Sequence, residues 1–230
     1  MDNLKRSLFC ALDFKDPEDA HKLIEKVKEY IDGVKVGLEF FVANGPVEVI
    51  KLKKYGLPIF LDLKLHDIPN TVSEAVKSVM KIKPDLLSVH ISGGSQMLKE
   101  VTSLKKRPKI IGISLLTSLE KQDLKQMGIN LSPENYVKKL ANIAIKLKLD
   151  GIVSSALEAK LIRSICPKKF VIITPGIRLG NNNLADQKRI ATPRQAIENG
   201  ASTLIVGRPI IKSKNPGIVA KKIKNIIENI

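Results

Sequence analysis

The chain is predicted to be an α/β protein folded as a closed (β/α)8 TIM barrel, and three observations carry that prediction. Short apolar, β-branched runs alternate with amphipathic segments eight times along 230 residues. No low-complexity linker or composition shift divides the chain, and 43% of its residues are hydrophobic, enough for one large core. Polar residues recur directly after the apolar runs, where a barrel gathers its chemistry at the carboxyl ends of its strands. The expectation is a single barrel domain over residues 1–230.

Taken in order, Ser7–Leu12 is the first predicted strand, and Asp16-Pro17 opens a predicted helix over 17–31. Val34–Leu38 precedes a helix over 46–55, and Ile59–Leu63 precedes one over 72–82. Leu86–His90 and Ile110–Leu115 follow, with predicted helices over 96–105 and, from Ser132-Pro133, over 133–147. Gly151–Val153 leads into 156–165, Val171–Thr174 into the Thr192-Pro193 start of 193–199, and Thr203–Val206 into 216–227. An open doubly wound sheet is the rival fold. Its first turn normally carries a glycine fingerprint, whereas here that turn is Leu12-Asp13-Phe14-Lys15.

The formal charge of +16 raises nucleic acid as a partner. The lysines are scattered over nearly every helical segment, however, and aromatic residues make up only 4% of the chain, leaving few stacking platforms. Lysine-rich solvated faces explain the charge better, and the same charge draws anionic substrates toward a cleft. No apolar run approaches the length of a membrane span, and no apolar segment follows the first residues, so the expected compartment is the cytoplasm. Cys10 and Cys166 stand far apart in apolar contexts and read as buried free thiols.

The densest chemistry lies in Ile-Phe-Leu-Asp-Leu-Lys-Leu-His-Asp-Ile-Pro-Asn-Thr-Val, residues 59–72. Strand alternation puts Asp62 and Lys64 on one face, and Asp67 follows just before Ile68-Pro69 ends the extended run. Charges this close to a buried strand destabilise a fold unless they compensate one another, and such networks concentrate at functional sites. A second signal is Val206-Gly207-Arg208-Pro209. A glycine lets the backbone approach a ligand, and an arginine adds a planar fork for phosphate oxygens. The loops after the last two strands are the usual phosphate site of a barrel. The polar stretch from Gly176 to Pro193, with Arg178, Gln187 and Arg189, has the length of a lid, although a plain surface loop has the same composition.

Taken together, these segments resemble the orotidine 5′-phosphate decarboxylase family. The likeness rests on Ala11-Leu12-Asp13-Phe14, Lys35-Val36-Gly37-Leu38, the run from Asp62 to Val72, Thr174-Pro175-Gly176-Ile177-Arg178, Asp186-Gln187 and Val206-Gly207-Arg208-Pro209. The Asp-x-Lys-x-x-Asp core is shared with sister enzymes. The continuation Ile68-Pro69-Asn70-Thr71 and the Arg178 to Gln187 segment are more specific.

The resemblance implies conversion of orotidine 5′-monophosphate to uridine 5′-monophosphate and carbon dioxide, with no metal and no organic cofactor. It assigns catalysis to Lys64, Asp62, Lys35 and Asp67, with Lys64 stabilising a carbanion at C6 of the pyrimidine and then protonating it. Asp13 and Lys35 would bind ribose hydroxyls, and Thr117 would contact the pyrimidine side. Arg178, Gln187, Gly207 and Arg208 would hold the phosphate. A homodimer is implied, with Asp67 and Thr71 reaching into the neighbouring site. His66 and His90 have structural roles on this view, because the chemistry needs no imidazole. Two rivals stand beside it: a magnesium-dependent lyase or synthase acting on a pentulose or hexulose phosphate, and a basic nucleic-acid-binding protein on a barrel scaffold.

Overall fold

The computed structural model describes residues 6–180 and 190–230. Eight parallel strands close into a barrel in sequence order: β1 Ser7–Ala11, β2 Gly33–Gly37, β3 Ile59–Leu65, β4 Leu86–His90, β5 Lys109–Ile113, β6 Gly151–Val153, β7 Val171–Thr174 and β8 Thr203–Val206. β1 closes the barrel against β8, with Phe9 opposite Ile205. Among the described residues, the helices are α1 Pro17–Val27, α2 Leu38–Lys51, α3 Pro69–Val79, α4 Ser95–Ser103, α5 Lys121–Gln126, α6 Pro133–Lys146, α7 Ala156–Ile165, α8 Pro193–Glu198, α9 Arg208–Ile211 and α10 Pro216–Glu228. None is long and apolar enough to cross a membrane.

The alternation of strand residues divides the apolar side chains into two cores. Side chains pointing outward meet the amphipathic faces of the helices, as Leu8, Val34 and Ile59 do in a layer shared with Leu23, Val76 and Ile223. Side chains pointing inward, including Phe9, Phe60, Leu86, Ile111, Val171 and Ile205, fill the barrel lumen. The lumen is therefore a packed plug, and any cavity must lie above it.

A repeated device seals the amino-terminal end of the barrel. Four residues that sit just before an even strand each accept a backbone N–H from the odd strand beside it. Asp32 Oδ2 takes Leu8 at 2.7 Å, Asp85 Oδ2 takes Ile59 at 2.8 Å, Asp150 Oδ2 takes Ile110 at 2.8 Å, and Ser202 Oγ takes Ile172 at 3.1 Å. Each bond satisfies a donor that the first residues of a strand would otherwise leave unpaired. Asp32 is also gripped by Lys224 of α10 at 2.7 Å, which ties the last helix to the first strand.

The elements depart from expectation in a few places. The helix expected over 46–55 begins earlier, at Leu38, and breaks at Gly45, whose φ of 70° precedes Pro46. Pro46 has no N–H to continue the helical ladder, so the chain restarts there. The helix expected over 17–31 ends at Val27 and tightens into a 3₁₀ turn over Lys28–Tyr30. One short helix carried too few apolar positions to register as periodic: α5, held by a reciprocal cap between Glu120 and Asp123; α9 follows Gly207, where Pro209 suits a first helical turn. β3 runs two residues beyond its expected end, to Leu65.

Candidate active site

A cavity of about 490 Å³ opens above the lumen plug, and its floor is the top of that plug: Ala11, Phe60, Val153, Ile173 and Ile205. Its size suits a small-molecule site. Asp13, Lys35, Asp62 and Lys64 line it, as do Thr117 with Leu115 and Leu116, and Arg178, Gly207 and Arg208. Eight of the residues singled out by sequence thus meet in one place, although they are spread from position 13 to position 208. Gln187 lies outside the described residues, as do Asp186 and Arg189.

The acids and lysines alternate in space. Lys35 Nζ lies 3.0 Å from Asp13 Oδ1 and 4.0 Å from Asp62 Oδ2, and the same Asp62 oxygen lies 2.7 Å from Lys64 Nζ. The row is Asp13, Lys35, Asp62, Lys64, two anions and two cations with no formal net charge. Side-chain exposure is 13% for Lys35, 10% for Asp62 and 30% for Lys64. Groups so far removed from water need nearby opposite charge, and the alternation supplies it from both sides of each inner member. Lys35 keeps its place because Gly37 has no side chain: a Cβ there would lie 2.7 Å from Lys35 Nζ. Gly37 carried no sequence signal beyond its membership of Lys35-Val36-Gly37-Leu38.

Regular alternation does not explain how Asp62 and Lys64 meet. β3 pairs with β4 in register at Leu61 and Leu87, and pairing resumes only at Leu65 and Val89. Three residues of β3 thus stand opposite the one residue Ser88, a bulge that re-aims the strand. Lys64 has a φ of +53° inside this bulge, while the other non-glycine residues with positive φ among the described residues (Arg6, Lys83 and Lys148) lie outside strands. A left-handed conformation at a side-chain-bearing residue costs about 1–3 kcal/mol and persists where its surroundings hold it. Simple alternation reached the right pairing for an incomplete reason.

At the phosphate-like end, Arg178 Nη1 donates to the Ile177 carbonyl at 2.8 Å. The Arg178 N–H bonds the Ala191 carbonyl at 2.9 Å, and the Ala191 N–H bonds the Gly176 carbonyl at 3.2 Å. These bonds pin the two ends of the 176–193 segment together beside the cavity. Glu39, Ser154 and Lys212 also line it. Of these, Ser154 directly follows the predicted strand Gly151–Val153, where polar rim residues are expected. Its hydroxyl is buried without a hydrogen-bond partner.

The pattern described as "Orotidine 5'-phosphate decarboxylase / HUMPS family" matches residues 6–223 of this chain. The orotidine 5′-phosphate decarboxylase of Wolbachia pipientis is 45% identical over 218 residues, covering 94% of this chain and 96% of that protein. The enzyme of the same name from Carboxydothermus hydrogenoformans is 40% identical over 235 residues, covering 99% and 98%. The crystal structure of orotidine 5′-phosphate decarboxylase from Lactobacillus acidophilus superposes with a TM-score of 0.83 at 33% identity, covering 97% of this chain and 99% of that one.

The chain belongs to the orotidine 5′-phosphate decarboxylase / HUMPS family.

Asp67 and Thr71, two residues that the family resemblance draws into the chemistry, are exposed and do not line this chain's cavity. Asp67 Oδ1 accepts the Ile68 N–H at 2.6 Å, and Ile68 is itself 66% exposed. His66 is exposed and does not follow Lys64 into the cavity, because the bulge ends the alternation. It stacks on His90 instead, with ring centroids 5.1 Å apart. Burial, the neighbouring His66 and the Lys64 ammonium together hold His90 below the usual histidine range. The stacked pair suits the packing role expected of both residues. Within β1, burial foremost and the Asp13 carboxylate next push the Cys10 thiol up to about 12, leaving it an inert apolar group.

Proposed function

We propose that this chain decarboxylates orotidine 5′-monophosphate to uridine 5′-monophosphate, the step that completes the pyrimidine nucleotide, and that Lys64 carries the chemistry. The single observation behind this reading is the Asp62 Oδ2 to Lys64 Nζ pair at 2.7 Å, set over an apolar floor at the mouth of a closed barrel. Full-length relatives bearing the decarboxylase name support the substrate.

In the reaction the bond between C6 and the carboxylate carbon breaks, and its electron pair stays on C6 in the ring plane. Carbon dioxide leaves. An ammonium already fixed beside C6 offsets that charge without reorganising, which is how a preorganised site surpasses water. Lys64 then gives C6 a proton and regains one from solvent. Asp62 holds Lys64 in place beside the departing carboxylate, and Lys35 balances Asp62 from the other side. Asp13 and Lys35 bind the ribose, Thr117 the pyrimidine side, and Arg178, Gln187, Gly207 and Arg208 the phosphate. The reaction draws on no metal or organic cofactor. Both Asp62 oxygens accept hydrogen bonds, from Ser88 and from Lys64, an arrangement suited to holding an ammonium in a fixed place.

The working unit is a homodimer of barrel domains spanning residues 1–230. Asp67 extends the charge row of the partner's site and Thr71 lies beside it. Their exposure next to an exposed Ile68 supports this arrangement.

The test is the loss of orotidylate absorbance with purified protein in the presence of a chelator. Turnover is expected, together with a fall of at least ~10³-fold for Lys64→Ala, the combined loss of a general acid and a charge stabiliser. No turnover by the unaltered protein, or turnover abolished by the chelator, would overturn the assignment in favour of a metal-dependent sister activity.

A further inference from the structure

We infer that Ser88 is a positioning residue that sets both partners of the Asp62–Lys64 pair through one hydroxyl. Ser88 sits in the middle of β4, fully buried, and does not itself line the cavity. It is the one β4 residue opposite the three-residue bulge of β3. The Lys64 backbone N–H donates to Ser88 Oγ at 2.8 Å, and Ser88 Oγ donates to Asp62 Oδ1 at 2.8 Å.

The direction of both bonds follows from donor chemistry. A backbone N–H only donates and a carboxylate only accepts, so the single hydroxyl proton must point at Asp62. Two consequences follow. The N–H that the bulge removes from the strand ladder is satisfied, which holds Lys64 in its left-handed conformation. Asp62 is also held by one oxygen, leaving Oδ2 turned toward Lys64 Nζ and Lys35 Nζ. Without this hydroxyl the carboxylate could rotate and the bulge could relax toward regular β pairing. Either change would carry the ammonium away from the reacting carbon. The inference deepens the decarboxylase reading and rests on it.

The experiment compares Ser88→Ala and Ser88→Cys with the unaltered enzyme, measuring kcat, KM and the affinity for uridine 5′-monophosphate. Cysteine keeps the branching of serine with a somewhat larger sulfur in place of oxygen, and hydrogen-bonds only weakly. Misplacement of a catalytic group by ~1 Å is worth ~10²-fold in rate, so both variants should lose about that much kcat while product affinity stays within ~3-fold. If Ser88→Ala fails to fold, the Ser88→Cys comparison stands alone. A kcat within ~3-fold of the unaltered enzyme in either variant would overturn the inference, and so would kcat and product affinity falling together, the mark of general distortion. If the unaltered enzyme itself does not turn over orotidylate, the functional reading fails, not the role of Ser88; crystal structures of the variants then decide it by whether Lys64 keeps its positive φ.

Discussion

At the scale of single residues, the site is a problem in placing charge. Asp62 and Lys64 are two positions apart, yet their contact depends on a left-handed lysine and a buried serine on the next strand. Arg208 poses a different problem: it lines the same cavity as Lys64, and in the proposed reading it acts through binding phosphate. Binding energy at a remote phosphate can be expressed at the reacting carbon when it drives closure and excludes water. Arg208→Ala should therefore lower kcat as well as raise KM. The loss in kcat/KM should be about 10–100-fold, the equivalent of one charge-assisted contact of ~1.5–3 kcal/mol. Steady-state kinetics on orotidylate would check this, and a rise in KM with unchanged kcat would show that phosphate binding and chemistry are uncoupled.

At the scale of elements, local signals predicted starts better than ends. Proline after a capping side chain marked α1, α6 and α8 in the sequence, and Asp16, Ser132 and Thr192 each accept a backbone N–H in the structure. Thr192 also forms a reciprocal cap with Gln195, whose side chain takes the Thr192 N–H at 3.1 Å. Because α8 is only six residues long, that cap is a large part of its local stability. Thr192→Ala should destabilise the protein by about 1 kcal/mol, read as a lowered midpoint in urea unfolding. Helix ends were less legible. The helix expected over 17–31 stops at Val27, where the chain tightens into a 3₁₀ turn over Lys28–Tyr30. The β3 bulge was not legible at all. Nothing in Asp-Leu-Lys announces a left-handed residue, and the partner that holds it lies 24 positions away.

At the scale of the whole molecule, the two ends of the barrel do different work. The amino-terminal end carries the series of Asp32, Asp85, Asp150 and Ser202, each closing the start of a neighbouring strand. The carboxyl end carries the cavity. Asp85→Ala should therefore lower stability by ~1–3 kcal/mol, since it strands the Ile59 N–H, while leaving kcat near that of the unaltered enzyme. Urea unfolding and turnover measured on the same preparation would test the separation, and a large loss of kcat at full stability would contradict it. The proposed sharing of the site between two subunits makes a further prediction. Lys64→Ala and Asp67→Asn homodimers should each be nearly inactive. After subunit exchange the mixture should recover activity, because a hybrid dimer restores one site with both residues intact. No recovery in exchanged mixtures would place Asp67 outside the partner's site.

The sequence alone determined the architecture, since eight apolar runs alternating with eight amphipathic segments leave a closed barrel as the simplest way to bury both faces of every strand. It also determined the residue types of the site, because charged and phosphate-binding side chains had to fall after strands to reach one rim. Tertiary structure decided the rest. It made Asp13 rather than Asp67 the first acid of the row within one chain, put Gly37 under Lys35, and set Ser88 against the bulge of β3. The physical reason is range. Periodicity and caps act over a few residues, whereas a hydroxyl that fixes a lysine from the neighbouring strand exists only after the barrel has closed.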